Sequence, residues 1–283
     1  MDGHALLYRA FHAIPGLATK AGLPTNAVFG FIRMLRQLEA DWRPSHVAVV
    51  FDAGLPAHRL SLLDTYKANR PPMPEALRLQ VPLVLEYVER AGLATRRLVG
   101  QEADDVLASF ASQLAGQCAV IRVASGDKDL MQIVTDRVRM VSVSGPSAEI
   151  GPAEVSAKTG VAPRQIVEWL ALVGDSADNI PGVPGIGPKT SANLLATYGS
   201  LEALWPRLDE LGNARLRASL AAHRSLIERN VALMALGRNL ACGAQLEELV
   251  RGPERVADLL PFFERLEFGR LAAEMRQADL FRA

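Results

Sequence analysis

Apolar residues recur along the chain in two different periods, and these periods predict its helices and strands. Between residues 25 and 42 the apolar positions follow helical spacing, which predicts an amphipathic helix. The runs 47–51, 119–124 and 138–143 are instead continuous and rich in β-branched residues. Such runs are typical of strands buried on both faces of a parallel sheet. Their alternation with helices predicts βαβ units in this part of the chain.

The pattern changes near residue 152, after which only helical spacing is found. Helical stretches continue to about residue 237, and the tail 254–283 is amphipathic as well. We therefore predict an α/β unit with a mostly parallel central sheet flanked by helices over residues 1–160. An all-α unit follows over residues 161–283.

One segment of the first unit, residues 55–74, has no such regularity and carries several cations. It contains Tyr66, Lys67 and Arg70 and ends in the proline-rich run 71–74, through which no long helix or strand can continue. An aromatic ring beside two cations can stack on an unpaired base and hold a phosphate. A solvated basic loop would have the same composition.

Nine carboxylates fall at strand ends or at junctions between predicted elements. Ligands of parallel sheets bind beyond the carboxyl ends of the strands, so we expect these side chains to share one crevice. Each of them alone could be a helix cap or a turn former. The nine residues are Asp2, Asp52, Glu102, Asp104, Asp105, Asp127, Asp129, Asp175 and Asp178.

Carboxylates in such numbers repel one another unless bulk water, a helix N-terminus or a bound cation makes their proximity tolerable. Oxygen ligands without a His or Cys cluster favour Mg²⁺ or Mn²⁺ over zinc. Nine are too many for one Mg²⁺, which keeps several waters, and suit two ions. Paired ions commonly cleave phosphodiesters, one activating the attacking water and both stabilising the transition-state charge.

A second pattern that favours phosphate binding is the turn Gly185-Ile186-Gly187, followed by Lys189 and Thr190. Glycines there let backbone N–H groups face a phosphate without obstruction, and Lys189 adds positive charge. This is the helix-hairpin-helix pattern, which holds the DNA backbone without reading bases. A plain connector between two helices with glycine caps is the alternative.

Composition and charge narrow the class of protein. The 283 residues are 49% apolar and 22% charged, which is typical of a soluble globular protein. No apolar run of about 18 residues or signal peptide is found, and the two distant cysteines favour a reducing cytosol. The net charge is zero, but setting the nine carboxylates aside leaves 31 basic against 22 acidic residues. That balance suits a polyanionic substrate, although scattered charges would give the same total.

In its carboxylates, its cationic segment and its glycine turn, the chain resembles the 5′ nuclease (5′-3′ exonuclease) domain of bacterial DNA polymerase I, within the flap endonuclease family. The likeness extends almost from end to end. The matching stretches are residues 2–13, Tyr66-Lys67-Ala68-Asn69-Arg70, Glu102-Ala103-Asp104-Asp105, Gly126-Asp127-Lys128-Asp129, 174–179 through Lys189-Thr190, and 264–269.

The resemblance implies a PIN-like nuclease core with a helical arch at about residues 55–92, followed by a helix-hairpin-helix domain. It implies a monomeric two-metal nuclease that acts on DNA with 5′ ends or 5′ flaps in replication and repair, and that works beside a DNA polymerase. Glu102, Asp104, Asp127 and Asp129 would be metal ligands, with Asp2, Asp52 and Asp105 close by and Asp175 and Asp178 completing the second site.

The resemblance also assigns roles to the other conspicuous residues. Lys67 and Arg70 would contact the scissile phosphate from the base of the arch, and Tyr66 would stack near the reacting nucleotide. The hairpin would hold the duplex, with K⁺ on its backbone carbonyls.

The chain departs from the family at its first residues. An apolar strand precedes the matching Asp-Gly in the family, whereas only Met1 precedes Asp2 here. Either the start of the sequence is truncated or the central strand is missing. A missing strand would open the sheet and leave Asp2 poorly held, and a flap-binding protein with little cleavage is one rival interpretation. A PIN-like ribonuclease is another, although such compact enzymes lack the hairpin and the arch.

Overall fold

The computed structural model of the chain describes residues 1–143 and 148–280, with side chains as far as residue 277. Its helices are α1 Gly3–Ala13, α2 Asn26–Trp42, α3 Ala57–Leu62, α4 Glu75–Arg78, α5 Val81–Arg90, α6 Ala103–Leu114, α7 Pro152–Thr159, α8 Ile166–Val173, α9 Pro188–Tyr198, α10 Leu201–Leu204, α11 Ala214–Ala222, α12 Arg224–Met234, α13 Val256–Arg265 and α14 Gly269–Leu280. Its strands are β1 Ala48–Val50, β2 Ala94–Arg96, β3 Ile121–Ala124, β4 Val138–Val141 and β5 Glu149–Ile150.

The strands form two small sheets instead of one continuous sheet. β1 pairs with β2 in parallel, and β3 pairs with β4 in parallel. β5 joins β4 in the antiparallel direction. The predicted α/β class with mostly parallel strands and a following helical part is confirmed. The strands are shorter than the apolar runs because some buried residues pair elsewhere; the Val47 N–H, for example, donates to Leu249 O.

The first two residues of the chain lie between the two sheets and join them. The Met1 ammonium donates to Ala48 O at 2.7 Å, and Val50 N–H donates to Met1 O at 2.9 Å. On the other side, Asp2 N–H donates to Ala124 O at 3.0 Å. The expectation of a poorly held Asp2 is therefore wrong, because two residues in extended conformation are enough to bond to both neighbouring strands.

Beyond Met1 the two sheets are separated by an apolar cavity of about 460 Å³. Leu107, Phe110 and Val123 are among the residues that line it. The expectation of an open sheet is thus met at this place. The Met1 ammonium lies at the same position, and burial lowers its pKa to about 6, although the neighbouring Asp2 charge opposes the shift.

Adding four apolar residues before Met1, such as Val-Leu-Val-Val, should therefore raise the free energy of unfolding by about 1–3 kcal/mol. The N–H groups of Ala48 and Ala124 lie on the strand edges whose carbonyls already bond Met1 and Asp2, so an added strand finds partners there. Buried apolar side chains contribute about 1.5–3 kcal/mol each, and ordering the backbone costs about 1–2 kcal/mol per residue. Urea unfolding measures the change. A Ser-Gly-Ser-Gly extension is the control, and an equal gain from it would contradict strand insertion.

Helices α1, α2 and α5 cover one side of this region and build the larger apolar core. Phe31 and Tyr87 are fully buried there, together with Phe262 and Phe263 from α13. The C-terminal tail, which the sequence groups with residues 161–283, therefore shares the core of the first part of the chain. Its packing against α5 therefore helps to hold the α/β part together.

The middle helices form a separate core around α8, α9 and α12. Asn230 of α12 is fully buried and donates to the carbonyls of Ala171 and Pro181, which ties the end of α8 to the loop that follows it. Gly182 is required at this point because a Cβ would lie 2.0 Å from Val173 O. This packing places the loop 174–182 beside the α/β part.

Candidate active site

Three carboxylates meet where β3 ends and α1 and α6 begin. Asp2 caps α1 by accepting from Ala5 N–H at 2.9 Å, and its other oxygen accepts from Ser125 Oγ–H at 2.9 Å. Asp104 lies in the first turn of α6 and Asp127 follows β3. Burial raises the pKa of Asp104 well above its usual value, and Asp127 and Asp2 raise it further. These three residues, which we call the β3-side acids, therefore form one crowded group.

A second group brings acids from the helical part to the same place. One carboxylate oxygen from each of Asp129, Asp175 and Asp178 lies within 4.8 Å of the others. Burial, followed by the charges of Asp127 and Asp175, raises the pKa of Asp129 to about 7. Asp129 is thus shared between the two groups. We call Asp175 and Asp178 the α8-side acids, because they follow α8 in the loop 174–182.

The unused hydrogen-bonding capacity of these groups indicates what they can bind. Within the described residues, Asp104 Oδ1 and Asp129 Oδ1 are buried and have no hydrogen-bond partner. A buried carboxylate oxygen without a donor is costly unless a cation takes its lone pairs. An all-oxygen donor set of this kind fits hard divalent cations.

Asp52 lies at the end of β1, beside the β3-side acids. It accepts from Ala103 N–H at 2.8 Å and therefore caps α6, and its Oδ2 lies 2.8 Å from His4 Nδ1. Burial opposes the ionised form, but the bonds from His4 and Ala103 prevail and lower the pKa of Asp52. His4 was missed in the sequence; its position two residues after Asp2 was the available signal.

Glu102 accepts bonds from three side chains of residues 55–74. Arg59 and Lys67 each donate to it, and Tyr66 O–H donates at 3.0 Å. Lys67 also lies 3.5 Å from Asp178 Oδ2. Glu102 is thereby brought to the site, but cations of the chain already surround it.

The cations that the sequence predicts to contact phosphate also lie at this position. Lys67 has a left-handed backbone conformation with φ of 56°, which its N–H bond to Asp178 O at 3.0 Å helps to hold. Arg70 is half exposed and donates to Asp178 Oδ1. Both cations therefore border the acids, and Arg70 lies at the solvent side.

Tyr66 does not occupy the predicted stacking position. Its side chain is buried, and its hydroxyl donates to Glu102 and lies 3.3 Å from Asp178 Oδ2. The prediction that Tyr66 stacks on a nucleotide is wrong for this conformation, because the ring packs in the core instead of facing solvent.

Asp105 is likewise separated from the acids. It accepts from Arg59 at 2.6 and 2.8 Å and from Gly237 N–H at 2.8 Å, and it is 1% exposed. Adjacent residues on a helix point in different directions, so Asp104 faces the acids while Asp105 faces Arg59. The structure does not bring Asp105 to the candidate metal site. Its spacing from Glu102 does put both on one face, where they share Arg59.

The predicted phosphate-binding turn lies between α8 and α9. Gly185 has φ of 82°, a conformation that favours glycine, and Gly187 is the N-cap of α9. Lys189 and Thr190 fall in the first turn of α9, and Lys189 is exposed. Trp169 Nε1–H donates to Pro188 O at 3.1 Å and fixes the turn against α8.

Comparison with known proteins agrees with this arrangement. Residues 1–160 match the model of the 5′-3′ exonuclease N-terminal resolvase-like domain, and residues 161–257 match the 5′-3′ exonuclease C-terminal SAM fold. The chain belongs to the 5′-3′ exonuclease family. The predicted relationship and the predicted membership of a 5′-3′ nuclease family are thereby confirmed.

Several curated proteins are similar over most of the chain. The DNA polymerase I of Rhizobium leguminosarum is 38% identical over 98% of this chain, and the thermostable DNA polymerase I of Thermus aquaticus is 41% identical over 97%. The chain spans 28% and 32% of the length of these two proteins. A 5′-3′ exonuclease of Aquifex aeolicus is 41% identical over 71% of this chain and 70% of its own length.

Solved structures share the fold. T5 5′-exonuclease with bound divalent metal ions (zinc) is 25% identical, with a TM-score of 0.67 over 83% of this chain and 88% of that one. The catalytic core of Rad2 in complex with DNA has a TM-score of 0.60 at 17% identity, over 94% and 86% of the two chains. Among the described residues, each helix is too short or too polar to span a lipid bilayer.

Proposed function

We propose that the protein is a structure-specific 5′-3′ exonuclease and 5′-flap endonuclease that hydrolyses DNA phosphodiesters with two divalent metal ions. One observation carries the proposal: Asp129 joins the β3-side acids to the α8-side acids, and buried carboxylate oxygens in this cluster have no protein partner. Mg²⁺ fits this oxygen-only donor set, and Mn²⁺ can replace it.

The division of the acids supports two sites. Asp104, Asp127 and Asp129, with Asp2 beside them, would hold one ion, while Asp129, Asp175 and Asp178 would hold the other. Glu102 and Asp52 border the first site. When bound, such ions would ease deprotonation of the attacking water and stabilise the negative charge that develops on the phosphate and the leaving oxygen.

The cations at the edge of the acids would position the DNA. We propose that Lys67 and Arg70 contact the scissile phosphate, because both border the acids and Arg70 is half exposed. Their charges also oppose the repulsion between the carboxylates and a polyanionic strand, which would otherwise keep the phosphate away.

The second contact would be made by the turn before α9. Backbone N–H groups at Gly185 and Gly187, together with Lys189 and Thr190, would hold phosphates of the duplex. K⁺ on the carbonyls of the same turn is part of this proposal. Residues 1–160 would thus be the nuclease core with its arch at about 55–92, and residues 161–283 the DNA-binding part.

The relatives support a biological setting as well. Since the chain spans about a third of bacterial DNA polymerase I proteins, we propose that it acts as a monomer with a DNA polymerase in the bacterial cytosol. Removal of primers and flaps during replication and repair would be its role.

A labelled 5′-flap DNA tests the proposal directly. We expect cleavage near the flap junction in Mg²⁺ and none in EDTA. Binding without Mg²⁺-dependent product would instead identify a flap-binding protein, and faster cleavage of a matched RNA would identify a PIN-like ribonuclease. A linear duplex with a blocked 5′ end is the control for structure specificity.

Replacing Lys189 by alanine should weaken duplex binding and flatten its salt dependence. A single lost phosphate contact lowers the slope of log K against log salt by about 0.9. Fluorescence anisotropy at several KCl concentrations measures both quantities. Lys158→Ala removes the same charge from the exposed face of α7 and serves as the control. An unchanged slope for Lys189→Ala would rule out the turn as a phosphate contact.

A further inference from the structure

Lys128 lies between two of the acids in sequence but directs its ammonium to a third. Its Nζ lies 2.8 Å from Asp175 Oδ2. The other oxygen of Asp175, Oδ1, accepts from Ala177 N–H at 2.9 Å. Asp175 is buried at 7% exposure, whereas the Lys128 side chain is 42% exposed. The ammonium therefore sits over Asp175 from the solvent side.

The two groups of acids differ in how their charge is balanced. Across the described part of the chain, no Lys or Arg side chain forms an ion pair with Asp2, Asp104 or Asp127; the donors that Asp2 and Asp127 have are the neutral groups of Ala5, Ser125 and Asp129. Both α8-side acids, in contrast, are paired with cations of the chain, Asp175 with Lys128 and Asp178 with Lys67 and Arg70.

A divalent ion that is to use Asp175 Oδ2 must compete with the ammonium that already occupies it. Two cations at one oxygen repel each other strongly in a partly buried site, where the dielectric screening is weaker than in water. The exposed side chain of Lys128 can rotate into solvent, so the ammonium can leave without unfolding the site. Asp129 makes no ion pair among the described side chains, so the ammonium occupies an oxygen only at Asp175, although its charge also acts on Asp129.

We infer that Lys128 is an internal counter-ion of the α8-side acids, which the second divalent ion must displace from Asp175. This inference rests on the proposed function. Ions then bind in order, first at the β3-side acids and then, more weakly, at the α8-side acids. Lys128 thereby sets the concentration of divalent ion at which both sites are filled.

Mn²⁺ binding to the full chain without DNA tests the order. Electron paramagnetic resonance of free Mn²⁺ should show two affinity classes in the unmodified protein. Lys128→Ala should tighten the weaker class about fivefold to tenfold, which is about 1–1.4 kcal/mol, and change the tighter class less than about twofold. Lys128→Arg should retain the weak class. Lys158→Ala, an exposed lysine on α7, is the matched control and should change neither class.

Equal tightening of both classes by Lys128→Ala would overturn the inference, because Lys128 would then be only a nearby charge. No tightening would overturn it as well. Thermal unfolding of each variant shows that the fold is retained, so that a change in affinity reports on the site.

A chemical readout tests displacement itself. We expect the Lys128 amine to be acylated slowly by an N-hydroxysuccinimide ester without metal, and faster once Mn²⁺ fills the weaker class. The peptide that carries Lys158 gives the reference rate, and an unchanged ratio of the two rates would contradict displacement. Neither readout involves cleavage of DNA. Failure to cut flap DNA would therefore refute the proposed function, whereas the Mn²⁺ affinities and the acylation rates alone decide the role of Lys128.

Discussion

Asp127→Asn is expected to reduce cleavage of a 5′-flap DNA by at least about 100-fold, or about 2.7 kcal/mol of activation free energy. The carboxylate lies in the most crowded part of the cluster, beside Asp104 and Asp129. Asp127 Oδ1 accepts from Asp129 N–H at 2.9 Å, and an asparagine oxygen can accept the same bond. The substitution therefore removes a negative charge and a cation ligand while leaving the local backbone bonded.

Flap affinity should remain within about tenfold, because the loss concerns the transition state more than the bound ground state. Single-turnover cleavage in Mg²⁺ and anisotropy in Ca²⁺ or EDTA measure the two quantities separately. Asp136→Asn makes the same change on an exposed turn before β4 and should cleave normally. A large loss of affinity in Asp127→Asn would show that Asp127 maintains the structure of the site.

The gathering of the acids could be predicted because each signal is local. Asp52 and Asp127 follow buried apolar runs, and the ends of parallel strands meet at one edge of a sheet. The turn at Gly185 and Gly187 was recognisable for a similar reason, since its backbone needs are met by residue types within a few positions.

The pairings inside the cluster could not be predicted in the same way, because they join segments far apart in sequence. The partner of Asp105 is Arg59, 46 residues away, and periodicity contains no information about which buried cation meets which acid. The sequence predicts that Tyr66 stacks near a nucleotide because two cations adjoin it, yet its hydroxyl donates to Glu102 in the interior. Met1 and Asp2 bridge the two sheets because the ends of β1 and β3 lie on either side of them, and the sequence pattern does not give the positions of strand ends in space.

Arg59→Ala is expected to lower the free energy of unfolding by about 3–5 kcal/mol, the usual cost of leaving one partner of a buried ion pair alone. Arg59 is 2% exposed and joins three segments of the chain. From α3 it donates to Asp105 in α6 and to the carbonyls of Leu233 and Ala235 at 3.0 and 3.2 Å. Without Arg59, the buried Asp105 charge has no cationic partner. The bonds from α3 to the carbonyls of Leu233 and Ala235 are lost as well.

Urea unfolding of Arg59→Ala, compared with Arg78→Ala, measures this cost. Arg78 pairs with Glu75 on the exposed surface of α4, where water screens the pair and its contribution to stability is small. The variant Asp105→Ala and the double variant complete the cycle. Because the stranded charge is absent from the double variant, its loss should be smaller than the sum of the two single losses by about 1–3 kcal/mol. Additive losses would mean that Arg59 stabilises the fold through Glu102 and the carbonyls of Leu233 and Ala235 and not through Asp105.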